Sequence, residues 1–116
     1  MTKEKPCRYE GMYIVDASLN EAARIAVLDK IKEGIKSRGA TVHNVYDQGR
    51  RRLAYEIAHA THPKREGYYY LAYFEVVPSA IAKLWNEYKL NEHLLRFMTL
   101  RTQDTEQPTF KPLVDV

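Results

Sequence analysis

The sequence predicts an α+β fold in which a four-stranded antiparallel sheet carries two helices on one face, in the chain order β-α-β-β-α-β. Three observations predict it. Short runs rich in β-branched and aromatic residues alternate with two stretches whose apolar residues recur every three to four positions. Capping and turn residues stand where the period changes. The 116 residues, 45% hydrophobic and 28% charged, suffice for one core and exclude a disordered, collagen-like or multidomain chain.

Tyr9 to Asp16 reads as the first strand, with both faces at least partly covered. Ser18, three residues before Glu21, has the spacing of a capping box and predicts a helix start. Ala22, Ile25, Leu28, Ile31 and Ile35 then form an apolar stripe, leaving Arg24, Lys32, Glu33 and Lys36 to water. Gly39 suits the left-handed stop at the helix end.

Thr41 to Ala58 reads as a long second strand with a bulge at Gly49, where an isolated glycine interrupts the pattern. Ala58 to Gly67, carrying Pro63, reads as a loop leading into the most strand-like stretch, Tyr68 to Val77. Pro78 and Ser79 open the second helix, and Ile81, Leu84, Trp85 and Tyr88 share one of its faces. Leu94 to Arg101 is the fourth strand.

Residues 1–101 therefore make one ferredoxin-like domain, since right-handed crossovers fold this order into one antiparallel sheet with both helices on the same side. Residues 102–116, with two prolines and little apolar periodicity, read as a flexible tail. The sheet's other face is left bare and rich in tyrosine, which suits a partner.

The chemistry of most enzymes is missing. Ser18 and Ser79 are assigned to helix caps, and Cys7 stands alone in a frayed terminus with no base beside it. His59 and His62 lack the further ligands that a metal needs, and the five glycines make no phosphate-cradling loop. The acidic residues are dispersed, so no general acid and base pair stands out. No catalytic residue, metal or cofactor is expected. A solitary cysteine suits a reducing compartment, no run approaches a membrane span, and Met1 to Arg8 is charged where a signal peptide is greasy. A cytoplasmic protein is the expectation.

The net charge is +3, but outside the last fifteen residues it is +5, with 17 basic against 12 acidic residues. Gly49 to Gly67 concentrates the excess in Arg50, Arg51, Arg52, Lys64 and Arg65, which makes polyanions plausible partners. A strand alternates its side chains, so Arg50 and Arg52 should point together and Arg51 away. Such arginines either discourage edge-to-edge aggregation or hold phosphate, and the planar fork of arginine suits the second role better than lysine does. Gly67, Tyr68, Tyr70 and Tyr73 also fit the RNA-reading octamer of RNA recognition motifs, although Glu66 and Tyr69 do not. Tyr68 and Tyr70 thus either stack on bases or pack rings.

Four stretches taken together resemble a known family. Tyr9-Glu10, Gly49-Arg50-Arg51-Arg52-Leu53-Ala54-Tyr55-Glu56-Ile57, Gly67-Tyr68-Tyr69 and Leu95-Arg96-Phe97-Met98 are similar, in order and spacing, to ribosomal protein six of the bacterial small subunit. The resemblance spans Tyr9 to Arg101. Glu56 departs from it, since many members carry proline there, which bears on how the second strand ends.

The resemblance implies a non-enzymatic protein that binds the central domain of small-subunit rRNA together with ribosomal protein eighteen. It makes Arg51, Arg52 and Arg96 the leading candidates for RNA or partner contact, followed by Arg50 and Arg8. Two rivals remain: a stand-alone single-strand RNA binder using Tyr68 and Tyr70, and a small enzyme resembling acylphosphatase. The latter would need an anion cradle after the first strand, where this chain has only Asp16-Ala17-Ser18-Leu19-Asn20. Since one fold serves all three, the site has to decide among them.

Overall fold

A computed structural model describes residues 5–59 and 62–102, except the side chains of 54–59 and of 62–63. The elements follow the expected order: β1 (Cys7–Asp16), α1 (Glu21–Lys36), β2 (Thr41–His59), β3 (His62–Val76), α2 (Ser79–Lys89) and β4 (Leu94–Arg101). The strands lie in the spatial order β2-β3-β1-β4, and every neighbouring pair is antiparallel. Most of the expected tail, residues 103–116, lies outside the described residues.

Alternation sorts the strand side chains onto two faces. Tyr9, Tyr13 and Val15 of β1 join Tyr70, Ala72, Phe74 and Val76 of β3 in the main core, beneath Val27, Ile31 and Ile35 of α1 and Ala80, Leu84 and Tyr88 of α2. At its centre the buried Tyr13 and Tyr88 share a hydroxyl hydrogen bond of 2.9 Å, with their rings edge to face. The opposite face carries a smaller buried cluster of Ile14, Leu53, Tyr69 and Leu95. That face is less bare than the sequence suggests. Leu71 and Tyr73 are also buried on it, with Tyr46 packed edge-on against Tyr73. Its exposed apolar residues, Met98 and Leu100, lie on the edge strand β4.

Several local expectations are corrected. Asn20, not Ser18, caps α1, accepting a 2.8 Å hydrogen bond from the Ala23 amide. Ser18 instead closes a turn with Asp16. Ser79 is the first helical residue of α2, and the cap position falls on Pro78, which makes no side-chain bond. The buried stripe of α1 runs Val27, Ile31, Ile35, leaving Ile25 45% exposed and Ala22 exposed. At ~100° per residue, Ile25 lies roughly 120° from the middle of that stripe, while Arg24 falls within about 20° of it. Arg24 is accordingly half-buried rather than solvated. Trp85, expected in the core, is 37% exposed at the rim, where its Nε1 donates to Thr99 Oγ1. Cys7 is not frayed: it begins β1 opposite Val76 and packs against the core.

Gly39 does end α1 with a positive φ of 73°. Gly49 also has a positive φ, 85°, at the register shift after Asp47, which is the bulge read from the sequence. The expected loop from Ala58 to Gly67 is mostly strand, since β3 already begins at His62. A further register shift falls between Arg52 and Ile57, the stretch that contains the departure at Glu56. Because β1 leaves β3 at the Asp16–Gly67 pair, the β2–β3 ribbon beyond Gly67 continues as two strands without β1 beside them.

Candidate nucleic-acid interface

The bulge at Gly49 and the end of β1 together build the root of the ribbon. Arg50 lies opposite Tyr68 and Arg52 opposite Glu66, on the helix side of the sheet, whereas Arg51 lies opposite Gly67 on the other side. The three consecutive arginines are thus divided two to one.

On the helix side, a cleft of about 480 Å³ opens between the β1–α1 turn and the ribbon. Arg50 and Arg52 line it from β2, Lys64, Arg65 and Glu66 from β3, and Asp16 and Ser18 from the turn. Arg50 reaches Glu66 through Nε at 2.9 Å and through a second guanidinium nitrogen. That hydrogen bond and the nearby carboxylate raise the Arg50 pKa. Lys64 Nζ lies 3.1 Å from Asp16 Oδ2, while Asp16 Oδ1 accepts from the Ser18 amide and hydroxyl at 2.9 and 2.8 Å. Burial pushes the Asp16 pKa up, but the Ser18 bonds and Lys64 outweigh it and hold the carboxyl below its ordinary value. Arg52 is exposed and makes no hydrogen bond or ion pair among the described residues.

The opposite side is built differently. Arg51 Nε donates to the Gln48 carbonyl at 3.2 Å, which turns the side chain back along its own strand. Arg96 is exposed on β4 opposite Ile14, its guanidinium donating to the Leu95 carbonyl at 3.0 Å. Arg51 and Arg96 therefore share the face that carries the Ile14, Leu53, Tyr69 and Leu95 cluster. Arg8 is on that face too, but eight residues along β1 from Asp16, about 26 Å at ~3.3 Å per residue. It is bound there to Glu75 at 2.8 Å, with His43 at 3.4 Å from the same carboxylate. The five arginine candidates thus do not form one patch.

Tyr68 and Tyr70 are not on the uncovered face, and this corrects the expectation that they could stack on bases there. Tyr70 is 2% exposed in the core, and its hydroxyl accepts a 2.7 Å bond from Arg24 Nε. The Arg24 guanidinium lies 3.8 Å over the Tyr68 ring, a cation–π contact that occupies one ring face. The tyrosines on the other side, Tyr69 and Tyr73, are buried as well.

Lys64, Asp16 and Ser18 were missed as site residues. An aspartate two positions before a serine, just after a strand, is the signal of an Asx turn and was available. Lys64 was hidden because its segment reads as a loop rather than a strand with a face. Among the described residues no group of three or more potential ligands could hold a metal ion, and no helix is long and apolar enough to cross a membrane.

Comparison with known proteins gives a consistent result. The family model described as Ribosomal protein S6 matches residues 8–101. Small ribosomal subunit protein bS6 of Chlamydia pneumoniae is 50% identical over 107 residues, 92% of this chain and 92% of its own length. Its counterpart in Protochlamydia amoebophila (strain UWE25) is 52% identical over 106 residues, 90% of each chain. The crystal structure of 30S ribosomal protein S6 from Thermotoga maritima superposes with a TM-score of 0.75 at 28% identity, covering 84% of this chain and 89% of that one. The C-terminal domain of the MgtC protein from Mycobacterium tuberculosis, at 14% identity and a TM-score of 0.58, shares the fold alone.

Proposed function

We infer from one premise, that the chain belongs to the ribosomal protein S6 family, how this structural, non-enzymatic constituent of the small ribosomal subunit engages its surroundings. It binds the central domain of small-subunit rRNA, and it does so as a pair with ribosomal protein eighteen. It works in the cytoplasm, where its bacterial relatives serve the small subunit.

The observation that carries this reading is the cationic root of the ribbon. Arg50, Arg51 and Arg52, paired with Tyr68, Gly67 and Glu66, are followed on the partner strand by Lys64 and Arg65, where the two strands run on past the end of β1. Phosphates fix the position of such a ribbon on a folded RNA, without reading base edges. Met98 and Leu100 on β4 leave exposed apolar surface on the other side, which suits a protein bound alongside the RNA.

The test is retention of a central-domain rRNA fragment by the purified chain, by ribosomal protein eighteen, and by the two mixed. The expected result is co-elution of the two proteins and retention of the fragment by the pair in preference to either alone. Two proteins that elute separately, or a fragment retained equally by each alone, would overturn the reading.

A further inference from the structure

The cleft at the ribbon root holds four cationic side chains, Arg50, Arg52, Lys64 and Arg65, against two carboxylates, Asp16 and Glu66. Both carboxylates are already engaged within the molecule. Glu66 takes Arg50, and the buried Asp16 takes Lys64 and both donors of Ser18. Among the described residues Arg52 makes no hydrogen bond or ion pair, so it presents an unengaged guanidinium fork to the cleft. An anion with two accepting oxygens fits that fork. Among the described residues the lining offers no aromatic ring and no apolar wall beyond Ala17, so none of them would hold a base.

We propose that this cleft is a seat for one phosphate of an RNA backbone, with Arg52 as the ligating group and Lys64 held beside it by Asp16. The proposal rests on the RNA-binding reading above and sharpens it, because it assigns the phosphate contact to the helix side of the ribbon. Asp16 and Ser18 act as positioning residues: they tie Lys64, on the ribbon, to the turn that ends β1. Glu66 acts as a brake, because it keeps Arg50 from turning fully to the anion.

Two substitutions with opposite expected signs test this. The full chain, paired with ribosomal protein eighteen, is titrated against the central-domain rRNA fragment at several salt concentrations. Wild type is compared with Arg52→Ala, Glu66→Gln and, on the exposed face of α2, Lys83→Ala. Arg52→Ala should weaken binding roughly tenfold, the lower end for a charge-assisted contact. It should also flatten log affinity against log salt by about 0.7 to 0.9. Glu66→Gln, which frees Arg50, should tighten binding and steepen the same plot, and Lys83→Ala should change neither. Unaltered melting temperatures exclude misfolding, since all three positions are exposed. If wild type binds and Arg52→Ala matches it in affinity and slope, the phosphate seat is wrong while the RNA reading survives. If wild type fails to retain RNA, the reading and the seat fail together.

Discussion

Tyr13 and Tyr88 show how much the core depends on single polar atoms. Both phenols are withdrawn from water, and each satisfies the other through the one hydrogen bond between them. Burial raises the Tyr88 pKa to about 12 and also pushes that of Tyr13 well above its ordinary 10.0, with Tyr88 adding to the effect. Removing one hydroxyl by Tyr88→Phe strands the other and should cost about 1–3 kcal/mol in urea unfolding, whereas the double Phe variant should cost less than the sum of the singles. The pH dependence has a definite sign. Groups with folded pKa values above the ordinary 10.0 contribute stability that is complete below pH 10 and is lost as pH rises toward 12. Melting temperatures should fall over that window in wild type and fall less in the double variant. Gly11 belongs to the same arrangement, because a Cβ there would stand 2.6 Å from the Tyr13 hydroxyl oxygen. Gly11→Ala should therefore push the ring off its partner and cost about 1–3 kcal/mol, read by the same unfolding experiment.

Among the elements, α1 and the β2–β3 ribbon carry the sharpest expectations. Asn20→Ala should lose about 1 kcal/mol of stability as a true N-cap, although Ser18 has the more familiar capping-box spacing. Ile35→Ala, in the buried stripe, should cost about 2–5 kcal/mol, and Ile25→Ala, 45% exposed, less than about 0.5. Reversal of that order in urea titrations would return the helix to the rotation read from the sequence. The ribbon is tied to the body by Lys64 and Asp16. Because the Asp16 pKa is lowered from 3.8, this contribution is complete above that value and is lost as pH falls below it through the folded-state pKa. Amide exchange in the ribbon root, taken relative to the intrinsic rate at each pH, should rise on acidification in wild type. It should be raised already at neutral pH in Asp16→Asn, which keeps an acceptor for Ser18 but discharges Lys64's partner.

For the molecule as a whole, order and fold class were legible because each element has its own period and its own punctuation. The glycine with positive φ at 49 marked the bulge, and the two helices announced themselves through four-residue spacing. What misled was local and physical. Arg24 was assigned to water because arginine is charged, yet its stem and planar head cover two tyrosines, and that tertiary contact sets the rotation of α1. Pro63 made 58–67 read as loop, although proline is tolerated near the start of a strand at a sheet edge. With that segment unassigned, no alternation could place Lys64, and a tyrosine-rich strand could be assigned to either face. The arginine triplet was found, but its division between two faces needed the register around Gly49.

The most direct measurement is site-specific cross-linking in reconstituted small subunits. A photo-reactive residue is introduced in turn at Glu66, beside the cleft, and at Lys83, on the outer side of α2. Cross-links to the central domain of the rRNA from position 66 and none from position 83 are the predicted result. Cross-links from position 83 with position 66 silent would contradict the assignment of the cationic ribbon root as the surface that grips the RNA.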